Sequence, residues 1–536
     1  MAFHAIRHWV DETIFDLARQ IRWSFLPPLM VYFAAGVSGL TSIVGTFFVK
    51  DYLELSAAFL AGLGFWAGLP WVLKLPLGHL VDLFWRWKAV MVFLGAGLIA
   101  LSLGTMILLI TEREMMVAIL PASTWFVISV LLAPAGYVVQ DVVADAMTVE
   151  AVPRSHADGT PISEAESKAL HTTMQTLGRF AIISGLVSVG LVNLFLFADV
   201  DRMSPAERVD TYAQVYRYAL IIPIISVSGV LLGIVFRRRQ AVNMRQAGAS
   251  KETIEKALFT PEETVEPDWY IFIGAAAFVV LTLGLGLSDF SYSAEFVFAG
   301  TMAVVLFLIA RLTKALPPGT ARSLVGTAAI IFVFRAVPGV GPGMTWFEID
   351  VLRFDEQFLA VLSLITSGLT LVGLLVLRPM MAKWPITKVI VVLTLAGGLL
   401  ALPNIGLYYG IHEWTSAHTG GVVDARFIAI LDTAIESPLG QVAMIPMLAW
   451  IARNAPDSLK ATFFAVMASF TNLALSASNL GTKYLNQVFS VTRETDNVPS
   501  DYTELGVLLL TVVGIGLAAP ILAVLVIQRT SYRSVD

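Results

Sequence analysis

Asp141 and Asp145 stand one helical turn apart inside an apolar stretch, and Asp432 and Glu436 repeat the spacing in the second half of the chain. Carboxylates four residues apart share a helix face. Two like charges that close resist ionising together, which suits one of each pair to carry a proton. Arg179, Arg335 and Lys74 fall in apolar stretches of their own. A guanidinium can grip a carboxylate through two parallel hydrogen bonds, so an anionic solute is the natural partner of Arg179 or Arg335, with Lys74 and Asn472 as further binding candidates. Each such group is a site candidate, because an ionisable side chain within a membrane span is costly unless it meets a cavity or a partner. The competing reading pairs Arg179 with Asp141 as a purely structural contact and lets Lys74 reach Asp82. Lys483 reads as a snorkelling or pore-lining residue without a role. Trp66, Trp71, Tyr137, Phe180, Trp346 and Trp450 could offer a flat surface to an aromatic solute. Each also fits a core or interfacial role, and Trp346 and Trp450 read as interfacial.

The elements that must position these groups follow from composition. The chain has 536 residues, 57% apolar and 14% charged, with a mean hydropathy of +0.76. Soluble domains carry nearly twice that share of charge. Runs of about 20 apolar residues recur, the length that crosses a bilayer core. This excludes a soluble enzyme, a nucleic-acid-binding protein and an outer-membrane barrel, and predicts a polytopic all-α membrane protein. There is no cysteine, so disulfides, thiolate metal sites and cysteine nucleophiles are excluded. No GxxxxGK[ST] phosphate loop occurs and the apolar spans hold no His-x-x-x-His pair, so neither nucleotide-driven pumping nor a metal or other cofactor is expected.

Fourteen spans are expected, at about 25–49, 56–80, 88–111, 117–150, 168–198, 215–236, 268–288, 293–313, 322–342, 356–381, 387–409, 425–452, 459–489 and 503–528. With the N-terminus inside, the inner segments hold 23 Lys and Arg and the outer loops eight, the bias expected of cytoplasmic loops. Both termini are therefore read as cytoplasmic. Counting from the span ends at ~1.5 Å per residue puts Asp145 roughly 9 Å, Asp141 roughly 15 Å and Arg179 roughly 16 Å into the membrane. Arg335 falls near the middle of its span, and Glu436 approaches the midplane. Residues 1–24 are read as an amphipathic helix on the inner face, and 237–267 as a cytoplasmic linker with a short helix from Ser250. The absence of Asn-x-Ser/Thr in outer loops fits a bacterial inner membrane.

The halves echo one another. KALHTTMQTLGR in span 5 resembles KATFFAVMASFTN in span 13, and WRWKAVMVFL after span 2 resembles WPITKVIVVL after span 10. This register gives a six-helix bundle over 25–236, a second over 317–536, and an inserted hairpin over 268–316. Paired six-helix repeats around a midplane site are the plan of an alternating-access transporter.

The loop after span 2 reads GHLVDLFWRWK. Its Gly78, Asp82, Arg86 and Lys88 resemble the loop 2–3 signature of the major facilitator superfamily, and imply a cytoplasmic gate built from these four residues. GLPWVLKLPLGHLVD, QDVVADAMTVEAVPR, and IFVFRAVPGVGPGMTWFEIDVLRFDEQFLA with ESPLGQVAMIPMLAWIARNAP resemble blocks of the folate–biopterin transporter family, a branch of that superfamily. Lys74-x-Pro76, Asp141-x-x-x-Asp145 with Glu150, and Gly440-Gln441 with Pro446 are the nearest matches. The chain departs from the family pattern at Ala151, where an arginine usually follows the glutamate, and at Arg335, where an uncharged polar residue is usual. The resemblance implies a monomeric secondary transporter in the lipid bilayer. Its solute would be small, organic and anionic, pterin- or folate-like; the acid pairs Asp141–Asp145 and Asp432–Glu436 read, from their spacing and depth, as the route of proton symport, with Asp141 and Glu436 as the carriers. Related branches imply two alternatives, a muropeptide permease and a non-transporting factor for pigment–protein assembly.

Overall fold

The computed structural model describes residues 22–53, 55–152, 162–259, 266–288, 290–314, 316–437, 460–493 and 499–533. The expected N-terminal amphipathic helix falls almost wholly on residues outside these, as do Gly440, Gln441, Pro446 and Trp450. The described chain is helical, and its one β feature is an isolated bridge between Thr492 and Asp501.

The first half opens with α1 (Leu26–Val37) and α2 (Ser42–Tyr52), then α3 (Ala57–Gly68) and α4 (Lys74–Leu83). It continues with α5 (Lys88–Thr111), α6 (Ala122–Ala151), α7 (Glu164–Leu196), α8 (Pro205–Ala219) and α9 (Ile221–Gln246). The short α10 (Lys251–Leu258) begins where Ser250 was expected to cap it, its hydroxyl accepting from the Thr253 N–H at 3.1 Å. A hairpin follows, α11 (Trp269–Gly286) and α12 (Ser293–Thr313). The second half holds α13 (Pro318–Arg335), α14 (Pro342–Asp350), α15 (Glu356–Lys383), α16 (Ile386–Leu400), α17 (Leu402–Tyr408), α18 (Ile411–His418), α19 (Ala425–Glu436), α20 (Lys460–Val488) and α21 (Leu505–Gln528).

Eleven helices among the described residues are long and apolar enough to cross a membrane. The ninth, twelfth and thirteenth expected spans are not among them; the last two run into residues outside those described, and the ninth breaks in the middle. Pro338 and Pro342 offer no N–H to a helix, and Gly341 has φ +83°, a left-handed backbone conformation that glycine adopts without strain. The segment expected over 322–342 is thus two helices with an extended link, and it reaches Asp350. Arg335 therefore ends a half-helix rather than sitting inside a continuous one.

Within the first half α5 packs on α6, and α1 on α6, α7 and α9. In the second, α21 packs on α13 and α16, α13 also on α20, and α15 on α19. The halves meet along two seams, α3 with α20 and α7 with α15. The α7–α15 seam is tight. A Cβ at Gly190 would stand 2.8 Å from the Leu364 Cα. The hairpin lies along the other seam, α12 against α20 and α3, and α11 against α4.

Candidate functional site

The second span bends because of its prolines. Pro70 lies within a 3-10 turn at Leu69–Leu73 that separates α3 from α4, and Pro76 lies in the first turn of α4. Pro76 has no N–H to give to the Val72 carbonyl one turn back. The Ser469 hydroxyl of α20 takes that carbonyl at 3.1 Å, and the Asn472 amide donates to the Trp71 carbonyl at 3.3 Å. Asn472, expected among the solute-binding groups, is thus placed on the α3–α20 seam.

The bend delivers Lys74 to α6. Its ammonium lies 2.5 Å from Asp141 Oδ2 and 2.9 Å from Asp145 Oδ2. The cation therefore bridges both carboxylates, and Lys74 does not go to Asp82. Asp141 keeps 15% of its side chain exposed and Asp145 43%. On the far side Tyr32 of α1 donates its hydroxyl to Asp145 Oδ1 at 2.5 Å. Arg179 has an exposed side chain, and no ion pair or hydrogen bond of it is found among the described residues. Its charge nonetheless acts on Asp141 and on Tyr32. The structural pairing of Arg179 with Asp141 is not what the geometry shows; Lys74 fills that role and leaves the guanidinium available.

The second half places Asp432 on α19, buried, with Oδ2 accepting from the Asn404 amide at 3.0 Å. Glu436, one turn on, is exposed. Glu348 of α14 lies near enough to Asp432 for their charges to interact. It is a third acid at this depth that sequence reasoning missed, because the stretch holding it reads as an outer loop until the helix break is known. Arg335 is half-buried at the end of α13.

Gly78 and Asp82 lie on α4. Asp82 is exposed, and no ion pair of it occurs among the described residues; the Arg86 side chain lies outside them. Lys88 takes a different acid as its ion-pair partner. It is 2% exposed, bonded to Glu150 of α6 and set 3.3 Å from the Trp85 ring centroid. Arg237 of α9 joins Glu150 at 3.0 and 3.1 Å. This cluster defines what we call the Lys88 end of the bundle.

At the opposite, Lys50 end several polar contacts cross between halves. Lys50 of α2 pairs with Asp350 of α14 at 2.8 Å, and Tyr502 donates to the same carboxylate at 2.5 Å. Arg493 is 5% exposed, donates to the carbonyls of Leu53 and Leu55, and lies 5.0 Å from the Trp346 ring. Tyr212 of α8 donates to Glu356 of α15 at 2.6 Å. Trp346, expected at an interface with lipid headgroups, is instead 2% exposed beneath Arg493. Lys483 also has a partner, Glu295 of α12 at 3.1 Å, so it fastens the hairpin rather than snorkelling.

A family model described as the BT1 family matches residues 35–535. A curated relative, the folate-biopterin transporter of Synechocystis, is 24% identical over 460 residues, covering 84% of this chain and 72% of its own. The fold resembles solved transporters of the POT family. One, in complex with 5-aminolevulinic acid, has TM-score 0.59 at 13% identity, covering 94% of this chain and 95% of its own. A peptide transporter POT has TM-score 0.60 at 14% identity, covering 96% and 95%. A third, described as an auto-inhibited POT family peptide transporter, has TM-score 0.55 at 15% identity, covering 97% and 98%.

Proposed function

The chain belongs to the BT1 family and is a multi-pass membrane transporter, and from that premise we propose that it moves a small organic anion, pterin- or folate-like, by proton symport and alternating access. The observation that carries this reading is Lys74 clamped between Asp141 and Asp145, beside an Arg179 that has no such partner among the described residues. A cation neutralised by two acids is a site at rest. An entering anion can take the cation's charge, and a freed carboxylate can take a proton. An assembly factor that only docks partners has no use for these groups within its spans.

In this proposal Arg179 is the first anion contact, with Arg335, Lys74 and Asn472 lining the path. Asp141 and Asp145 carry protons in the first half, Asp432 and Glu436 in the second. The chain crosses a bacterial plasma membrane fourteen times as a monomer, with the Lys88 end cytoplasmic. The units are the bundle over 25–236, the linker over 237–267, the hairpin over 268–316 and the bundle over 317–536. Gly78, Asp82 and Arg86 form the cytoplasmic gate, while Lys88 anchors that loop through Glu150.

The test is uptake into proteoliposomes under an imposed proton gradient, screened over pterins, folates and amphipathic anions. Arg179→Lys keeps the charge but loses the planar fork, so it should weaken solute binding roughly tenfold without loss of folding. Asp141→Asn and Glu436→Gln should abolish accumulation yet preserve exchange at equal pH. Normal transport by Arg179→Ala, or accumulation by both acid variants, refutes the assignments.

A further inference from the structure

Asp145 is held from two sides by groups of different kinds. Lys74, a cation, takes Oδ2 at 2.9 Å. Tyr32, a neutral donor, takes Oδ1 at 2.5 Å. The phenol is fixed in turn, because Tyr32 is 5% exposed and its ring lies against Gly178, where a Cβ would stand 2.9 Å from Cε2. Gly178 is the residue before Arg179, so the ring couples the helix that carries the free guanidinium to the carboxylate. The titratable and charged groups acting on this spot are Tyr32 from α1, Lys74 from α4, Asp141 from α6 and Arg179 from α7.

Of the two acids on Lys74, Asp145 is the one to let go. Its contact is the longer, and its side chain is the more exposed. Lys74 with its two carboxylates carries a net charge of one negative. If one negative charge of the solute replaces Asp145 at Lys74 while Asp145 Oδ2 takes one proton from water, that net charge is unchanged. The exchange then adds no unpaired charge within the membrane, where such a charge is expensive. The carboxyl must keep its place while its charge disappears, and an ionic partner cannot hold it through that change. A hydroxyl can, since it donates to a carboxylate oxygen and, though less strongly, still to the carbonyl oxygen of a carboxylic acid.

We propose that Tyr32 is a positioning residue of the coupling site, holding Asp145 by Oδ1 so that Oδ2 can pass between Lys74 and a proton. The proposal rests on the symport reading above and deepens it. Tyr32→Phe removes the donor and keeps the ring on Gly178, so the full-length variant should fold and melt within a few degrees of the parent.

Two measurements test it, both on the reconstituted full chain. Acid-induced difference infrared spectra locate the protonated carboxyl band of Asp145, assigned by its disappearance in Asp145→Asn. In Tyr32→Phe the band should move to higher wavenumber, as expected for a carbonyl that has lost a donor. Radiolabelled folate is the transport probe. Proton-driven accumulation should fall at least tenfold in Tyr32→Phe, while equal-pH exchange stays within twofold. An unmoved band overturns the proposal, as does accumulation equal to the parent or falling in step with exchange. A parent protein that binds and exchanges folate without gradient-driven accumulation overturns the symport reading. It is recognised by a band that still moves in Tyr32→Phe, and it reduces Tyr32 to a structural donor.

Discussion

At the Lys50 end of the bundle several ionic and polar contacts run between the two halves; at the Lys88 end, among the described residues, no ion pair joins them. Lys50–Asp350, Arg493 on the Leu53 and Leu55 carbonyls, and Tyr212–Glu356 each join the halves. Lys88, Glu150 and Arg237 instead tie α5, α6 and α9 of one half together. The same chemistry has opposite consequences. Charges paired inside a half make it a rigid unit, which never needs to break during turnover. Charges paired across the halves must part whenever that end opens, so they set an equilibrium between states. The structure is therefore that of a carrier closed at its Lys50 end.

The largest expected effect comes from attacking the rigid cluster. Glu150→Ala strands two cations, one of them buried, and leaving a buried charge without its partner costs about 3–5 kcal/mol. The purified variant should melt well below the parent or fail to accumulate in the membrane. A melt within a degree or two would erase the distinction between the ends.

Next is the cross-half pair. Lys50→Ala should open the Lys50 end without lowering stability as much, since Tyr502 still donates to Asp350. A charged hydrogen bond contributes about 1.5–3 kcal/mol, so the open population should rise roughly tenfold or more. The chain has no cysteine, so Ser38→Cys gives a single reporter in the first span. A membrane-impermeant thiol reagent added at the Lys50 end should label it faster by that factor. Unchanged labelling would mean that this pair does not gate.

A smaller effect is expected midway between the ends. Ser469→Ala loses one bond across the α3–α20 seam, worth about 1 kcal/mol. Pro76→Ala supplies the missing N–H to the Val72 carbonyl, so in that background Ser469→Ala should cost measurably less. Additive melting shifts in the double variant would refute the link between the proline and the serine.

The smallest is an acid effect at the start of α8. The Glu207 carboxyl is held below the usual range by the backbone N–H of Ser204 and then by its hydroxyl. A depressed folded-state value contributes stability above the ordinary carboxylate range, and that contribution disappears as pH falls through the depressed value. Hydrogen exchange in the first turn of α8 should therefore be slower at neutral pH, relative to Glu207→Gln, and equal to it in acid. A difference that persists in acid would assign the protection to something other than the carboxylate.

How much of this was legible in the sequence varied with the kind of fact. Lys74, Asp141, Asp145, Asp432 and Glu436 were legible as site candidates because charge in an apolar run has a cost that must be met. Depth along each helix followed from counting residues. Azimuth between helices did not, and so the sequence could not decide whether Lys74 or Arg179 meets Asp141. That choice depends on the bend at Pro70 and Pro76, which swings Lys74 toward α6. The break over residues 336–341 had its signal in Pro338, Gly339, Gly341 and Pro342, but a hydropathy window averages across it. Arg493 looked like a solvated loop charge. Its burial comes from carbonyls at the end of the first span and the loop beyond it, far away in sequence. Glu295 lay at the mouth of an otherwise apolar hairpin, and nothing local names Lys483 as its partner.

The hairpin touches both halves. Its first helix leans on α4, where the Asp268 N–H meets His79 at 2.9 Å, and its second is pinned to α20 by Glu295. One seam of the bundle is thus bridged by a strap in the lipid, while the other is a bare, tight contact at Gly190. Halves joined this way cannot turn alike in every direction. If the halves part as the proposed alternating access requires, the Gly190 side acts as the spine of a book, and the strapped side travels further as the covers part. That travel sweeps the hairpin through the surrounding hydrocarbon, so the thickness and lateral pressure of the bilayer act as a mechanical load on each turn of the cycle.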